Sequence, residues 1–246
     1  MKIDIITIFP NIFDSFLKES LLARAQKKKL IKINLHNLRK WTDDKHKTVD
    51  GRPYGGGAGM ILKIEPIWKA VQYLKSANHK PQKTKHKQKT RVILLSAKGK
   101  TFTQKDARRL AKYDQIIFIC GRYEGVDERV ATHIADEEIS IGNYVLFGGE
   151  VPAMVIIETV SRLIPGVVAK EESVKNESFS KNWKLETGNW KLTKEHPHYT
   201  RPEIFSPKIR NSKLEIRNSR KGWKVPPVLL SGNHKDIEEW RAKNSK

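Results

Sequence analysis

The chain is 246 residues long, 38% hydrophobic and 30% charged, and its 48 Lys and Arg outnumber 27 Asp and Glu for a formal charge of +21. That length and apolar content suit one large domain or two small ones and exclude a chain too polar to build a core. The single cysteine, Cys120, excludes an internal disulfide and a cysteine-built zinc site, and the apolar stretch 151–168 is broken by Glu158 and Arg162, so a cytoplasmic protein with no membrane span is expected.

Residues 2–9 (KIDIITIF) read as a buried strand. Residues 11–29 read as one helix capped at Asn11, with Ile12, Phe16, Leu17 and Leu21 along its apolar face. A second strand is expected over 31–38, then a helix over 64–75, a strand over 91–96, a helix over 103–113, a strand over 115–120 and a helix over 151–164. Strand and helix alternate, which predicts an α/β fold with a mostly parallel sheet and ligand contacts at the carboxyl ends of its strands. Three loops leave those ends: SAKGK (96–100), CGRYEGVDE (120–128) and SIGNYVLFGGE (140–150).

Between the second strand and the helix at 64 lies GRPYGGGAGMIL, residues 51–62. A phosphate-binding P-loop needs Lys and then Ser or Thr after its last glycine, whereas Met60, Ile61 and Leu62 follow Gly59. Two readings stay open: a tight turn, or backbone cleared of side chains for a ligand.

Charge is concentrated in two places. Residues 75–91 carry seven Lys or Arg and no acid, and residues 181–224 carry twelve against four acids. The first run is low in complexity, and the second holds the near-duplications NWKLETG/NWKLTKE and IRNSK/IRNSR, so both read as solvated insertions that add non-specific affinity for RNA. Residues 1–168 are expected to form the main domain, 169–199 a flexible linker and 200–246 a small, basic, mainly helical unit ending in a helix over 235–243.

The loop at 120–128 concentrates chemistry. Asp127 and Glu128 suit the start of a helix, with Arg129 as an ion-pair partner. Arg122, Tyr123 and Glu124 precede that helix, on a turn where a ligand would lie. In the loop at 140–150, Gly142, Gly148 and Gly149 free the backbone, while Tyr144, Val145 and Leu146 offer apolar surface to a flat ring. Together these loops suggest an adenosine-sized pocket gripped by main-chain groups.

The motifs TVDGRPYGGGAGM, CGRYEGVDERV, SIGNYVLFGGE, SRLIPGVV, PHYTRPE and VPPVLLSGNH occur in the order found in bacterial tRNA (guanine-N1)-methyltransferases, and the chain resembles that family from IITIFPNIF (5–13) to GNHKDIEEWR (232–241), interrupted by the two insertion-like regions. The resemblance implies a SPOUT-type sheet tied in a deep trefoil knot, S-adenosyl-L-methionine as methyl donor, tRNA as substrate, and a homodimer with active sites at the interface. It places the donor against Ser96, Gly121, Tyr123, Gly125, Ile141, Gly142, Asn143, Tyr144, Val145, Leu146, Gly148 and Gly149. It places substrate against Asp50, Gly56, Arg122 and Glu124, and against His198, Tyr199, Arg201 and His234 of the C-terminal unit. It assigns the base that removes the guanine N1 proton to Glu177, where the family carries aspartate, and the cation that steadies the developing charge to Arg162. Asn143 stands where the family usually has aspartate. The assistance of a divalent cation is left open. The alternative is a tRNA-binding protein of the same fold with impaired catalysis.

Overall fold

The computed structural model of the chain describes residues 1–76, 88–169, 177–179, 182–184, 190–192, 195–205 and 222–245. Backbone contacts divide the chain into two units, Met1–Glu171 and Glu172–Lys246. The expected basic insertions lie largely outside the described residues.

Unit one is built on five strands: β1 (Lys2–Thr7), β2 (Lys32–Asn37), β5 (Thr90–Thr101), β6 (Gln115–Cys120) and β7 (Glu137–Ser140). They run in the order β2-β1-β6-β5-β7, and every pairing is parallel. Two short strands, β3 (Asp50–Gly51) and β4 (Ile61–Leu62), pair antiparallel as a separate hairpin with the glycine stretch at its tip. The central strands are apolar on both faces, as a sheet covered on both sides requires. Ile3, Ile5, Ile93, Leu95, Ile116 and Phe118 pack to one side, while Ile6, Val92, Leu94, Ile117 and Ile119 pack to the other. The first face takes α1 (Asp14–Lys18), α2 (Ser20–Lys27), α4 (Gln104–Leu110) and α6 (Glu150–Ser161). The second takes α3 (Ile64–Ser76) and α5 (Glu128–His133). Each fully buried Ile, Leu or Phe contributes about 1.5–3 kcal/mol by leaving water.

One expected element is different. Residues 11–29 do not form a single helix: a 3-10 turn (Pro10–Phe13) leads into α1, Glu19 is extended and Ser20 takes a φ of 52°, and the chain then re-enters helix as α2. The break re-phases the apolar face, so Phe13, Leu22 and Ala25 are buried while Ile12 and Leu21 stay about 40% exposed. Asn11 makes no cap, because it lies inside the 3-10 turn rather than before it.

Two buried carboxylates tie elements together. Asp4 accepts from His36 (2.8 Å), Asn34 (2.9 Å) and Gln115 (2.7 Å) and pairs with Lys2 (3.1 Å), linking three strands. Burial pushes its carboxyl up, but those hydrogen bonds and Lys2 outweigh burial and leave it below the ordinary range. Asp106 closes a capping box with Thr103 at the start of α4 and pairs with Lys100 at 3.0 Å. Burial opposes its ionisation, yet Thr103, Lys100 and Arg109 hold it down at about 2, against an ordinary 3.8. A depressed carboxyl stabilises the fold above its unfolded-state value, and that stabilisation fades as pH falls through the folded value. Between pH 4 and 2 the urea midpoint should therefore drop, and Asp106→Asn should start lower at neutral pH and drop less. A variant whose midpoint tracks the parent's over that window would remove Asp106 from the account.

Unit two contains the hairpins β8 (Asn182–Lys184) with β9 (Trp190–Leu192) and β10 (Ile204–Phe205) with β11 (Trp223–Lys224). A 3-10 turn (Pro227–Leu230) and helix α7 (His234–Asn244) follow, the helix capped by the side chain of Asn233. No helix among the described residues is long and apolar enough to cross a membrane.

Candidate functional site: a cavity at the carboxyl ends of the strands

Because the strands are parallel, the loops after β5, β6 and β7 leave the sheet at one edge, and they enclose a cavity of about 260 Å³. Strand β5 makes the first wall by breaking its own register. Leu95 and Lys100 both face Ile139 of β7, so residues 96–99 loop out and place Ser96, Ala97 and Lys98 at the cavity. The chain returns because Gly99 has no side chain: a Cβ there would sit 2.5 Å from the Ile139 nitrogen and 2.6 Å from the Glu138 carbonyl carbon. A second tight crossing lies at Gly149, whose Cβ would sit 2.7 Å from the Cα of Cys120. Cys120 itself is fully packed, and burial pushes its thiol well above the ordinary value.

The loop after β6 is the second wall. Tyr123 takes a left-handed φ of 61° and Gly125 one of 120°, which turns the chain back so that Arg122 bridges both Gly125 and Gly148. Asp127 caps α5 by accepting from the Arg129 amide (3.0 Å) and pairs with the Arg129 side chain (2.6 Å), while Glu128 pairs with Lys98 at 2.6 Å. The helix-start reading thus fits Asp127 and Arg129, leaving Arg122, Tyr123 and Glu124 toward the cavity. Burial, followed by the neighbouring Asp50 carboxylate, raises the Tyr123 phenol above its ordinary value.

The glycine stretch is not uniform. Gly59 makes room for Glu124, whose Cγ would lie 2.6 Å from a Cβ there, and the backbone of 60–62 is stitched to the same loop by Glu124 N–H to Met60 O, Leu62 N–H to Gly125 O and Asp127 N–H to Leu62 O, each 3.0 Å. Gly55, Gly56 and Gly57 all have positive φ with open space around the missing Cβ. The turn reading holds at residues 53–56, where the Gly56 amide donates to the Pro53 carbonyl at 3.3 Å.

Every residue assigned to the methyl donor lines the cavity except Asn143, which is exposed beside it. Arg122 and Glu124 line it too, whereas Asp50, Gly56 and Arg162 do not. Arg162 ends α6, twelve residues from Glu150 at the cavity end, hence roughly 18 Å away along the axis. Glu177 lies in a short described turn of unit two. In that unit His198, Tyr199 and Arg201 line a second cavity with His196 and Arg241, while His234 stands at the start of α7 outside it. The rings of His196 and His198 are 4.5 Å apart, and burial, then His198 and Arg241, push the His196 imidazole down.

Sequence reasoning missed Glu138 and Glu150. Glu138 lines the cavity and its buried Oε1 has no hydrogen-bond partner among the described residues. Glu150 is 1% exposed and bonded to Thr7 and Arg122. Its position directly after Gly148 and Gly149 was the available signal, but its partners are too distant in sequence to be read from it.

A wholly parallel sheet with helices on both faces and a glycine-walled cavity at its strand ends defines an α/β protein whose candidate ligand site lies there. All 246 residues match the family model described as tRNA (Guanine-1)-methyltransferase TrmD. The chain belongs to that family. It is 49% identical over 246 residues to the tRNA (guanine-N(1)-)-methyltransferase of Anoxybacillus flavithermus, covering all of this chain and 86% of that protein. The proteins of the same name from Dehalococcoides mccartyi (strain 195) and Bacillus subtilis are each 47% identical over 245 residues, covering all of this chain and 86% and 87% of theirs.

Proposed function

We propose that the protein transfers a methyl group from S-adenosyl-L-methionine to N1 of the guanine at tRNA position 37, in the cytoplasm. The observation that carries the reading is the strand-end cavity, lined by eleven of the twelve residues that the resemblance assigns to the donor, in a chain that matches the family throughout. The cavity suits the donor. Gly121 and Gly125 bring backbone to the cavity without a side chain, Tyr144 and Leu146 supply apolar surface, and the unpartnered Oε1 of Glu138 offers an acceptor to a ligand rich in amino and hydroxyl groups. Bound there, the donor supplies an activated electrophilic methyl.

The chain's own residues handle position and protons. Arg122 and Glu124 orient the base at the cavity mouth, with Asp50 steadying Tyr123 and Gly56 giving the substrate backbone room. Glu177 takes the proton from guanine N1, and Arg162 stabilises the charge that develops on the oxygen at carbon 6. Arg162 stands at the far end of α6 from its own cavity, which favours delivery by a second copy. Val151 and Val155, one turn apart on α6, are 51% and 41% exposed, and Phe147 beside them is 94% exposed; a homodimer closing on this face would cover them. The tight passages at Gly99 and Gly149 support a knotted strand-end segment. His198, Tyr199, Arg201 and His234, in a strongly basic chain, would bind the anticodon stem through phosphates and stacking.

The test uses paired substrates. The protein should methylate tRNA carrying guanine at position 37 and leave the same tRNA with adenine there unmodified. Salt-sensitive tRNA binding without transfer to either would reject the enzymatic reading in favour of a binding protein.

A further inference from the structure

Behind the cavity lies a chain of three side chains from three elements, buried at Thr7 and Glu150 and half-buried at Arg122. Thr7, the last residue of β1, is 1% exposed and donates through Oγ1 to Glu150 Oε1 at 2.6 Å. Glu150, the first residue of α6 and equally buried, accepts on its other oxygen from Arg122 Nε at 2.8 Å. The Thr7 hydroxyl is fixed in turn, since it accepts from the Phe9 amide at 2.9 Å, and the Phe9 ring lies 4.8 Å from the guanidinium carbon of Arg122. Each carboxylate oxygen therefore has its own partner, and the guanidinium is held at Nε and across one face.

The backbone is shaped around this chain. A Cβ at Gly148 would lie 2.4 Å from Arg122 Nε and 2.8 Å from Glu150 Oε2, so a glycine is needed where strand end and helix start close on the pair. Such a buried ion pair is weak evidence for stability, because removing two charges from water offsets much of their attraction. It is a strong constraint on direction. Arg122 lines the cavity, its Nη1 has only a long 3.5 Å contact to the Phe147 carbonyl, and its Nη2 makes no hydrogen bond among the described residues. The fork is thus held from behind with its outer nitrogens available, and guanine presents O6 and N7 as a matching pair of acceptors.

We infer that Thr7 and Glu150 are positioning residues for methyl transfer, which aim the Arg122 guanidinium at the acceptor edge of the target guanine. The inference rests on the proposed function. It predicts loss of substrate use with donor binding intact, since misplacement by about 1 Å costs about a hundredfold. In the full-length protein Thr7→Val should lower kcat/KM for guanine-37 tRNA about tenfold and Glu150→Gln up to about a hundredfold, while S-adenosyl-L-methionine affinity stays near the parent's; Glu150→Gln also lowers Tm, because it strips the Arg122 guanidinium of its counter-charge, so Thr7→Val is the cleaner probe. Thr7→Ser, which keeps the hydroxyl, should restore the parent value. Because the two residues act through Arg122, Glu150→Gln added to Arg122→Lys should bring no further loss. The inference fails if Thr7→Val and Glu150→Gln work at the parent rate, if their losses multiply with that of Arg122→Lys, or if donor affinity falls in step with activity. An inactive parent would overturn the underlying reading as well; an active parent with unaffected variants overturns this inference alone.

Discussion

Arg162→Ala is expected to lower kcat for methyl transfer to guanine-37 tRNA by about 10²- to 10⁴-fold, and Glu177→Ala to do the same, with donor affinity unchanged in both. The size follows from the chemistry. Guanine N1 carries a proton, so a methyl aligned for attack cannot be accepted until a base removes it, and the negative charge released must be met by a nearby cation. Neither role requires contact with the donor, and neither residue lines the donor cavity. Glu177 carries one methylene more than the family's aspartate, so Glu177→Asp is the sharper companion probe: activity lost in Glu177→Ala and retained or raised in Glu177→Asp places the carboxylate in the mechanism, and parent-level activity in Glu177→Ala removes it.

The position of Arg162 makes a further result of the same experiment decisive. If the cation comes from a second copy, an Arg162→Ala chain still has a usable cavity and a cavity-blocked chain still has a usable arginine. Gly121→Leu is a suitable block, because a Cβ at Gly121 would meet only ordinary contacts, the nearest 3.6 Å away, while the branched side chain would enter the cavity. Mixing the two inactive variants under conditions that exchange subunits should restore activity to about a quarter of the parent's, since half the dimers are mixed and each has one complete site. No recovery on mixing would require cavity and arginine to belong to one chain.

Much of this arrangement was legible in the sequence. The buried strands announce themselves as short apolar runs, and parallel order concentrates their following loops at one edge, so Ser96, Gly121, Tyr123 and the 141–149 segment fall together. Local signals failed where the backbone leaves a periodic path. The helix expected over 11–29 is interrupted by an extended Glu19 and a left-handed Ser20, neither of which is marked by Gly or Pro; of its expected apolar face Phe16 and Leu17 pack against the core while Ile12 and Leu21 stay exposed. Long-range pairs were equally hidden: Thr7 and Glu150 are 143 positions apart, and nothing in either neighbourhood names the other. Within the glycine stretch, the tight approach of Gly59 to Glu124 was equally hidden, whereas the turn at Gly55 and Gly56 was legible.

Gly99 had no assigned role in the sequence, and its replacement should have the largest effect on stability. Its φ is outside the left-handed range, so alanine meets no backbone penalty and would by itself stabilise the fold by about 0.4–1 kcal/mol through a less flexible unfolded chain. Sterics oppose this. The new Cβ would lie 2.5–2.7 Å from three backbone atoms of Glu138 and Ile139, which cannot rotate aside as a side chain could. Relief requires separating β5 from β7 where Lys100 pairs with Ile139, Thr101 with Ser140, and the Phe102 amide with the Ser140 carbonyl at 2.8 Å. Overpacking of this kind costs about 1–3 kcal/mol, and rigid neighbours place Gly99→Ala at or above the upper end. Gly51→Ala is the control, because its Cβ would meet only the flexible Lys63 Cε at 3.5 Å. Urea unfolding should show a clear fall in midpoint for Gly99→Ala and little change for Gly51→Ala. Amide exchange should rise first along β5 and β7, and donor affinity should fall because Ser96, Ala97 and Lys98 line the cavity from the same loop. Equal midpoints for the two variants would mean that the passage is loose, and would withdraw the support that Gly99 gives to a knotted segment.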